Sequence, residues 1–228
     1  MQVWAIIAQK GGAGKTTLSL HVAIALSQMG KRVHLLDVDP QQSAARWAAQ
    51  RKNLPPATTA IVAPQVYDVI DRLRDKGATD IVIVDTSPRA DRESLIVADA
   101  ADFIIVPARP SALDLPAVED TLELLERAGH IHKAVVVLNA VASSTDEGEL
   151  AAAYMRKLGP ELCPFMLGER VDYRRSLLVG KGVTEAKRSG EAVKEITGLS
   201  KWMLKKANAT QEGKSDGTKN TKPVRKAV

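Results

Sequence analysis

Apolar positions along this chain gather into short unbroken runs, separated by longer stretches in which they recur every three or four residues. The runs at 3–8, 32–37, 80–85, 102–107 and 133–138 have the length of strands. They are built mainly from Val, Ile, Leu and Ala, as strands covered on both faces require. Two weaker strands are predicted at 59–63 and 164–167. The stretches between predict helices over 16–29, 41–52, 65–76, 92–100, 114–129 and 146–158, with two more near 171–179 and 189–207. Strand and helix alternate, which predicts βαβ crossovers and an α/β fold: a doubly wound, mostly parallel sheet flanked by helices. In such a sheet, ligand chemistry belongs at the carboxyl ends of the strands.

Three strand ends carry that chemistry. After the first run comes Lys10-Gly11-Gly12-Ala13-Gly14-Lys15-Thr16-Thr17, an imperfect G-x-x-x-x-G-K-[ST] loop with Gln9 where the first glycine usually stands. Its small residues let consecutive backbone N–H groups close around phosphate oxygens, and the following helix turns its N-terminus toward them. The spacing gives Gly11, Gly12, Ala13, Gly14, Lys15, Thr16 and Thr17 to nucleotide binding, with Lys15 reaching the β- and γ-phosphates and Thr16 ligating Mg²⁺. The run His34-Leu35-Leu36-Asp37-Val38-Asp39-Pro40-Gln41 ends in two carboxylates that alternation places on one side. The run Asp80–Val84 ends in Asp85-Thr86-Ser87-Pro88, matching a Walker B strand whose Asp85 supports the metal.

Lys10 narrows the reading, because two lysines five residues apart put excess charge at one triphosphate. Here the chain resembles the deviant Walker A ATPases, the ParA/MinD group, whose loop reads K-G-G-x-G-K-[ST]. The D-x-D-P-Q and D-T-S-P segments are similar to that family's switch I and to its Walker B and switch II. The resemblance covers roughly residues 2–204. It implies that Lys10 crosses an ATP-dependent homodimer interface to complete the partner's site, that Asp39 orients the attacking water, and that Asp37 and Asp85 join Thr16 around Mg²⁺. It also implies that Asn139, at a strand end, contacts adenine, with Pro164 reaching the base from the other side. Asn139 reads equally as a turn former. The segment Pro107-Ala108-Arg109-Pro110-Ser111-Ala112-Leu113-Asp114 reads either as a proline turn with Asp114 capping a helix or as the family's similar segment near the dimer interface.

Composition and charge restrict the function class. At 228 residues and 45% hydrophobic, the chain buries a full core, assigned to one ATPase domain at 1–207. The single cysteine, Cys163, excludes a disulfide framework and a four-cysteine zinc site, and fits a reducing cytoplasm. It also cannot supply the paired interface cysteines of the nitrogenase-iron-protein group. No run approaches the ~18 apolar residues of a membrane span, and no signal peptide is expected ahead of the first strand. Residues 1–169 carry net −4, residues 170–206 net +6 and residues 207–228 net +3. The basic region includes Arg170, Arg174, Arg175, Lys181, Lys187 and Arg188, either a solvated helix face or a surface for nonspecific DNA.

Val193, Ile196, Leu199, Trp202 and Met203 fall at helical spacing and describe a core-packed helix or a MinD-like membrane anchor. The core reading is favoured, since about 20 polar residues follow, and residues 208–228 are expected to be a disordered basic tail. Trp4 opens the first strand directly, so no N-terminal DNA-reading extension is expected. Together these features predict a cytoplasmic, nucleoid-associated ATPase using ATP and Mg²⁺. Its expected partners are a second copy, DNA and a ParB-like or cargo adaptor, without stable membrane association. A MinD-like membrane regulator and a metabolic ATPase of the same fold are the alternatives.

Overall fold

The computed structural model describes residues 1–88, 92–142 and 146–217, with side chains as far as residue 209. Seven strands, β1 (Gln2–Ile6), β2 (Val33–Asp37), β3 (Ala57–Ala60), β4 (Ile81–Asp85), β5 (Phe103–Ala108), β6 (Ala134–Leu138) and β7 (Glu161–Leu162), form one sheet. Their spatial order is β3-β2-β4-β1-β5-β6-β7, and every pair is parallel. The helices are α1 (Lys15–Gln28), α2 (Ser43–Ala49), α3 (Val66–Lys76), α4 (Arg92–Ala100), α5 (Leu115–Arg127), α6 (Glu147–Lys157), α7 (Val171–Leu178), α8 (Val183–Ala186) and α9 (Glu191–Gly217).

The period of two along each central strand splits the core into two layers. Trp4 and Ile6 of β1, with Ile81 and Ile83 of β4, face a cluster formed with α1, α2 and α7–α9. Val3 and Ala5, with Val82 and Val84, face a second cluster formed with α3–α6. Each of these strand residues is at most 2% exposed, so both faces are covered. β1 lies between β4 and β5, where the winding reverses, and its C-terminal end is therefore the crevice of the sheet.

Three elements differ from the sequence reading. The strand expected at 164–167 is replaced by β7 at Glu161–Leu162. Pro164 has no N–H to give, so the chain pairs through Cys163 N to Val136 O (2.8 Å), leaves the sheet, and returns at Leu167 N to Leu138 O (2.9 Å). The short α8 was not anticipated, being a single turn held by Gly182 N to Glu185 Oε2 (2.9 Å). α9 runs on to Gly217, past Asn208 where a disordered tail was expected to start. The remainder of that expected tail, 218–228, lies outside the described residues.

α9 is anchored as a core helix. Ala192, Ile196, Leu199, Met203 and Ala207 are buried against the α1 face of the sheet. The apolar stripe that the sequence offered to either core or membrane is therefore spent inside the protein.

Candidate functional site

β1 delivers the chain to the crevice, and the loop after it turns on two left-handed glycines, Gly12 at φ 81° and Gly14 at φ 94°. At Gly14 a side chain is excluded twice over. An L-residue is strained at that φ, and a Cβ would stand 2.1 Å from Asn139 Nδ2. Asn139 itself, at the end of β6, donates from Nδ2 to Ala13 O at 2.8 Å and so fastens the loop. On the far side, Gln9 N–H donates to Thr121 Oγ1 (3.3 Å) and Gln9 Nε2 to Asp120 O (3.0 Å). The residue that departs from the usual loop pattern thus ties the loop to α5.

Lys15 starts α1 and is 6% exposed, with Nζ donating to Lys10 O at 3.3 Å. Burial lowers its pKa, while the Asp85 and Asp39 carboxylates pull in the other direction. Thr16 Oγ1 donates to Asp85 Oδ2 at 2.7 Å, and Ser19 Oγ donates to Asp85 Oδ1 at 2.8 Å. Asp85 is fully buried at the end of β4, and that burial pushes its pKa up to about 7 against the two hydroxyl donors. Ser19 was missed from the sequence; its signal is the three-residue step from Thr16, one helical turn along the same face. Thr86 Oγ1 donates to Ile6 O at 2.8 Å, clipping the end of β4 to β1.

Asp37 and Asp85 are register partners on β2 and β4, yet they do different work. Asp37 accepts N–H groups from Asp39 (3.1 Å, Oδ1) and Ala45 (2.9 Å, Oδ2), bracing the turn into α2. Its burial raises its pKa. Asp37, expected in the metal shell, accepts one backbone N–H on each oxygen in this structure and so braces the turn into α2. The hard oxygens of Thr16 and Asp85 fit Mg²⁺, which takes one or two protein oxygens and completes its shell with phosphates and water. No cluster of three or more His, Cys, Asp or Glu suited to a metal occurs among the described residues.

Asp39 is partly exposed and borders, with Gly11, Gly12, Lys15, Thr16 and Thr17, a hollow of about 320 Å³. Hollows of about 460 and 420 Å³ lie elsewhere, one beside α2 and β3 and one between α5 and α6. They lack the glycine loop and the buried lysine, so chemistry rather than size identifies the site.

Lys10 points away from this hollow. Its Nζ donates to Leu113 O at 2.7 Å and pairs with Asp114 Oδ1 at 2.6 Å, where Asp114 is the N-cap of α5. The two lysines of the loop are thus separated within one chain. Pro164 is exposed beside Phe165, whose ring lies against Gly198 of α9.

The basic residues fall into two groups. Arg170 donates to Glu195 from Nη2 at 2.7 Å and Nε at 3.0 Å, and Glu195 also accepts from the Tyr173 hydroxyl (2.7 Å). Lys187 pairs with Asp172 at 2.8 Å. Arg175, Lys181 and Arg188 are exposed without an ion-pair partner among the described residues, and Arg174 meets Glu169 only at 4.0 Å.

A family model for the CobQ/CobB/MinD/ParA nucleotide-binding domain matches residues 4–183. Maintenance of carboxysome distribution protein A of Halothiobacillus neapolitanus is 30% identical over 181 residues, 76% of this chain and 82% of that protein. The chromosome-partitioning ATPase Soj of Thermus thermophilus is 31% identical over 156 residues, 55% of this chain and 62% of that one. Among solved structures, a Cyanothece McdA–ATP complex superposes with TM-score 0.71 at 21% identity, covering 90% of this chain and 96% of that one. With the loop, the Thr16–Asp85 pair and the parallel sheet in place, the chain belongs to the CobQ/CobB/MinD/ParA nucleotide-binding family.

Proposed function

We propose that this chain is an ATP-dependent dimerising ATPase that binds DNA without sequence preference and positions a plasmid, a chromosome region or a cytoplasmic cargo through adaptor-stimulated hydrolysis. The observation that carries this reading is the division of labour between the loop lysines: Lys15 lies buried under the loop while Lys10 sits at its rim, 38% exposed and paired with Asp114. In this reading the lysine at the rim leaves Asp114 to serve a second nucleotide. Further support comes from relatives whose names record carboxysome distribution and chromosome partitioning.

In this reading Lys15 leaves the Lys10 carbonyl for the β- and γ-phosphates, and the loop amides carry the charge that develops on transfer. Thr16 and Asp85, with Asp37 beside them, would hold Mg²⁺, which would supply further neutralisation of the phosphate oxygens. Asp39 orients water, and Asp37 keeps the Asp39 turn in place through its two amide contacts. Asn139 holds the loop where it stands over Gly14 and remains the proposed adenine neighbour; Pro164 is the weaker partner in that role. Arg174, Arg175, Lys181 and Arg188 meet the DNA backbone, with Arg170 and Lys187 shaping the surface from within their ion pairs.

Light scattering with a nonhydrolysable ATP analogue and gel shifts on two unrelated duplexes test the proposal. Lys10→Ala is expected to bind nucleotide as a monomer and fail to dimerise, and the wild-type chain is expected to retard both duplexes only with ATP and Mg²⁺. Dimerisation of Lys10→Ala at the wild-type ATP concentration overturns the cross-interface role. Flotation with anionic liposomes in place of DNA retardation moves the protein to a MinD-like function, and neither result points to a metabolic ATPase.

A further inference from the structure

The C-terminal turn of α7 combines two features found together nowhere else among the described residues: a pair of adjacent, highly exposed aliphatic side chains and a cluster of cations. Leu178 is 80% and Val179 67% exposed. On either side in sequence stand Arg174, Arg175 and Lys181, all exposed, with no acidic residue between 173 and 184.

Local structure explains why these residues point outward. Tyr173 and Ser176 bury the inner face of α7, and Leu177 packs against the same core. The helix then ends in a Schellman turn: Gly180 N–H bonds Leu177 O at 3.1 Å, Lys181 N–H bonds Ser176 O at 3.0 Å, and Gly180 takes φ 69°. That geometry turns the chain immediately after Val179 and leaves residues 178 and 179 at the apex. The apolar contact that usually closes such a turn is missing here, since its two positions hold Ser176 and Lys181.

The apex is also rigidly fastened. Trp47 Nε1 of α2 donates to Leu177 O at 2.9 Å. Arg51, 3% exposed, donates to Gly180 O at 2.7 Å and forms a two-pronged pair with Glu185 at 2.7 and 2.8 Å. Two aliphatic side chains held in water on a fixed turn between cations are an interaction surface in waiting.

We propose that this apex docks into a groove of duplex DNA, with Arg174, Arg175 and Lys181 on flanking phosphates and Leu178 and Val179 making apolar contact with the sugar edges and bases. The inference rests on the DNA reading above and adds to it a component that is not electrostatic. Charge complementarity selects a polyanion, and the size of the patch selects among polyanions. A bilayer needs a helix-long apolar face or an acyl chain, whereas α7 has eight residues with its other face committed to the core. A DNA groove accepts wedges of one or two aliphatic side chains.

The test is the salt dependence of affinity for a fixed duplex, with ATP and Mg²⁺ present. Cation contacts set the slope of log K against log salt, while apolar contacts set its height. Leu178→Ser with Val179→Ser is expected to lower affinity about tenfold at every salt concentration with unchanged slope. Arg175→Ala is expected to flatten the slope by about one unit. As a second readout, Leu178→Cys carries a polarity-sensitive dye; Cys163 is buried with its thiol pushed up to about 12, so labelling is selective. The dye is expected to shift to the blue on DNA. If the wild-type chain binds DNA while the double variant matches it and the dye does not respond, the apex is overturned and the DNA reading stands. If the wild-type chain binds no DNA, the DNA reading falls first. A blue shift on anionic vesicles without one on DNA reassigns the apex to lipid.

Discussion

The nucleotide crevice and the basic lobe of α7–α9 are built on opposite principles. In the crevice nearly every polar group is engaged: the loop by Asn139 and Gln9, Asp85 by Thr16 and Ser19, Asp37 by two amides. Its chemistry comes from fixed dipoles and a few buried charges. The lobe gains its character from charge surplus, but part of that surplus is consumed internally by Arg170–Glu195 and Lys187–Asp172. The lesson is that net charge overstates the cations a surface can offer. α2 joins the two regions, beginning just after the Asp39 turn and leading, two residues past its end, to Arg51, which grips the α7–α8 turn.

The sharpest way to break the crevice is Lys15→Ala. Removing the cation that faces both Asp85 and the phosphates is expected to weaken ATP binding by on the order of 100-fold or more, read by titration with a fluorescent ATP analogue. The lobe should still fold, because its contacts lie elsewhere, so circular dichroism melting is expected to stay cooperative.

Next in size is the link. Arg51→Met leaves Glu185 partly buried without its partner and is expected to cost about 2–3 kcal/mol, lowering the melting temperature by several degrees. The double substitution Arg51→Met with Glu185→Leu is expected to recover most of that loss. If the single variant melts like the wild type, the α2 connection carries little energy.

Within the lobe, Arg170→Ala and Arg175→Ala separate consumed charge from offered charge. Arg170→Ala is expected to lower stability by about 1–2 kcal/mol, given its partial exposure, with little change in the salt slope of DNA binding. Arg175→Ala should do the reverse, losing about one unit of slope and leaving the melt unchanged. Equal slopes would erase the distinction between the groups.

The remaining effect is a proton. Asp85 is raised from 3.8 to about 7, so the nucleotide-free native state holds a proton that the unfolded chain gives up above pH 4. Its contribution favours the fold below about pH 4 and is lost as pH rises toward 7. His21, buried between α1 and α7–α8 and lowered from 6.5 to about 4, acts oppositely, favouring the fold above 6.5 and losing that contribution as pH falls toward 4. Binding of Mg²⁺–ATP at pH 6 is expected to release close to one proton from Asp85, and far less at pH 8. Calorimetry in buffers of different ionisation enthalpy measures this, and Asp85→Asn should abolish it.

By itself the sequence determined the sheet, the loop and the acid-ended strands, because each is local: a period of two, a glycine spacing and a carboxylate at a strand end are legible over about ten residues. Only the tertiary structure decided how shared groups are allotted. Asp37 and Asp85 look alike at the ends of their strands, yet one faces the amides of α2 and the other the hydroxyls of α1. Ser19 and Asn139 acquire their roles from neighbours 66 and 126 residues away. Arg170 and Arg175 differ only because Glu195 lies one helix away beside the first. Hydrogen bonds and ion pairs reach about 3 Å and each donor is spent once, so which partner a residue meets is set by packing between elements rather than by its place in the chain.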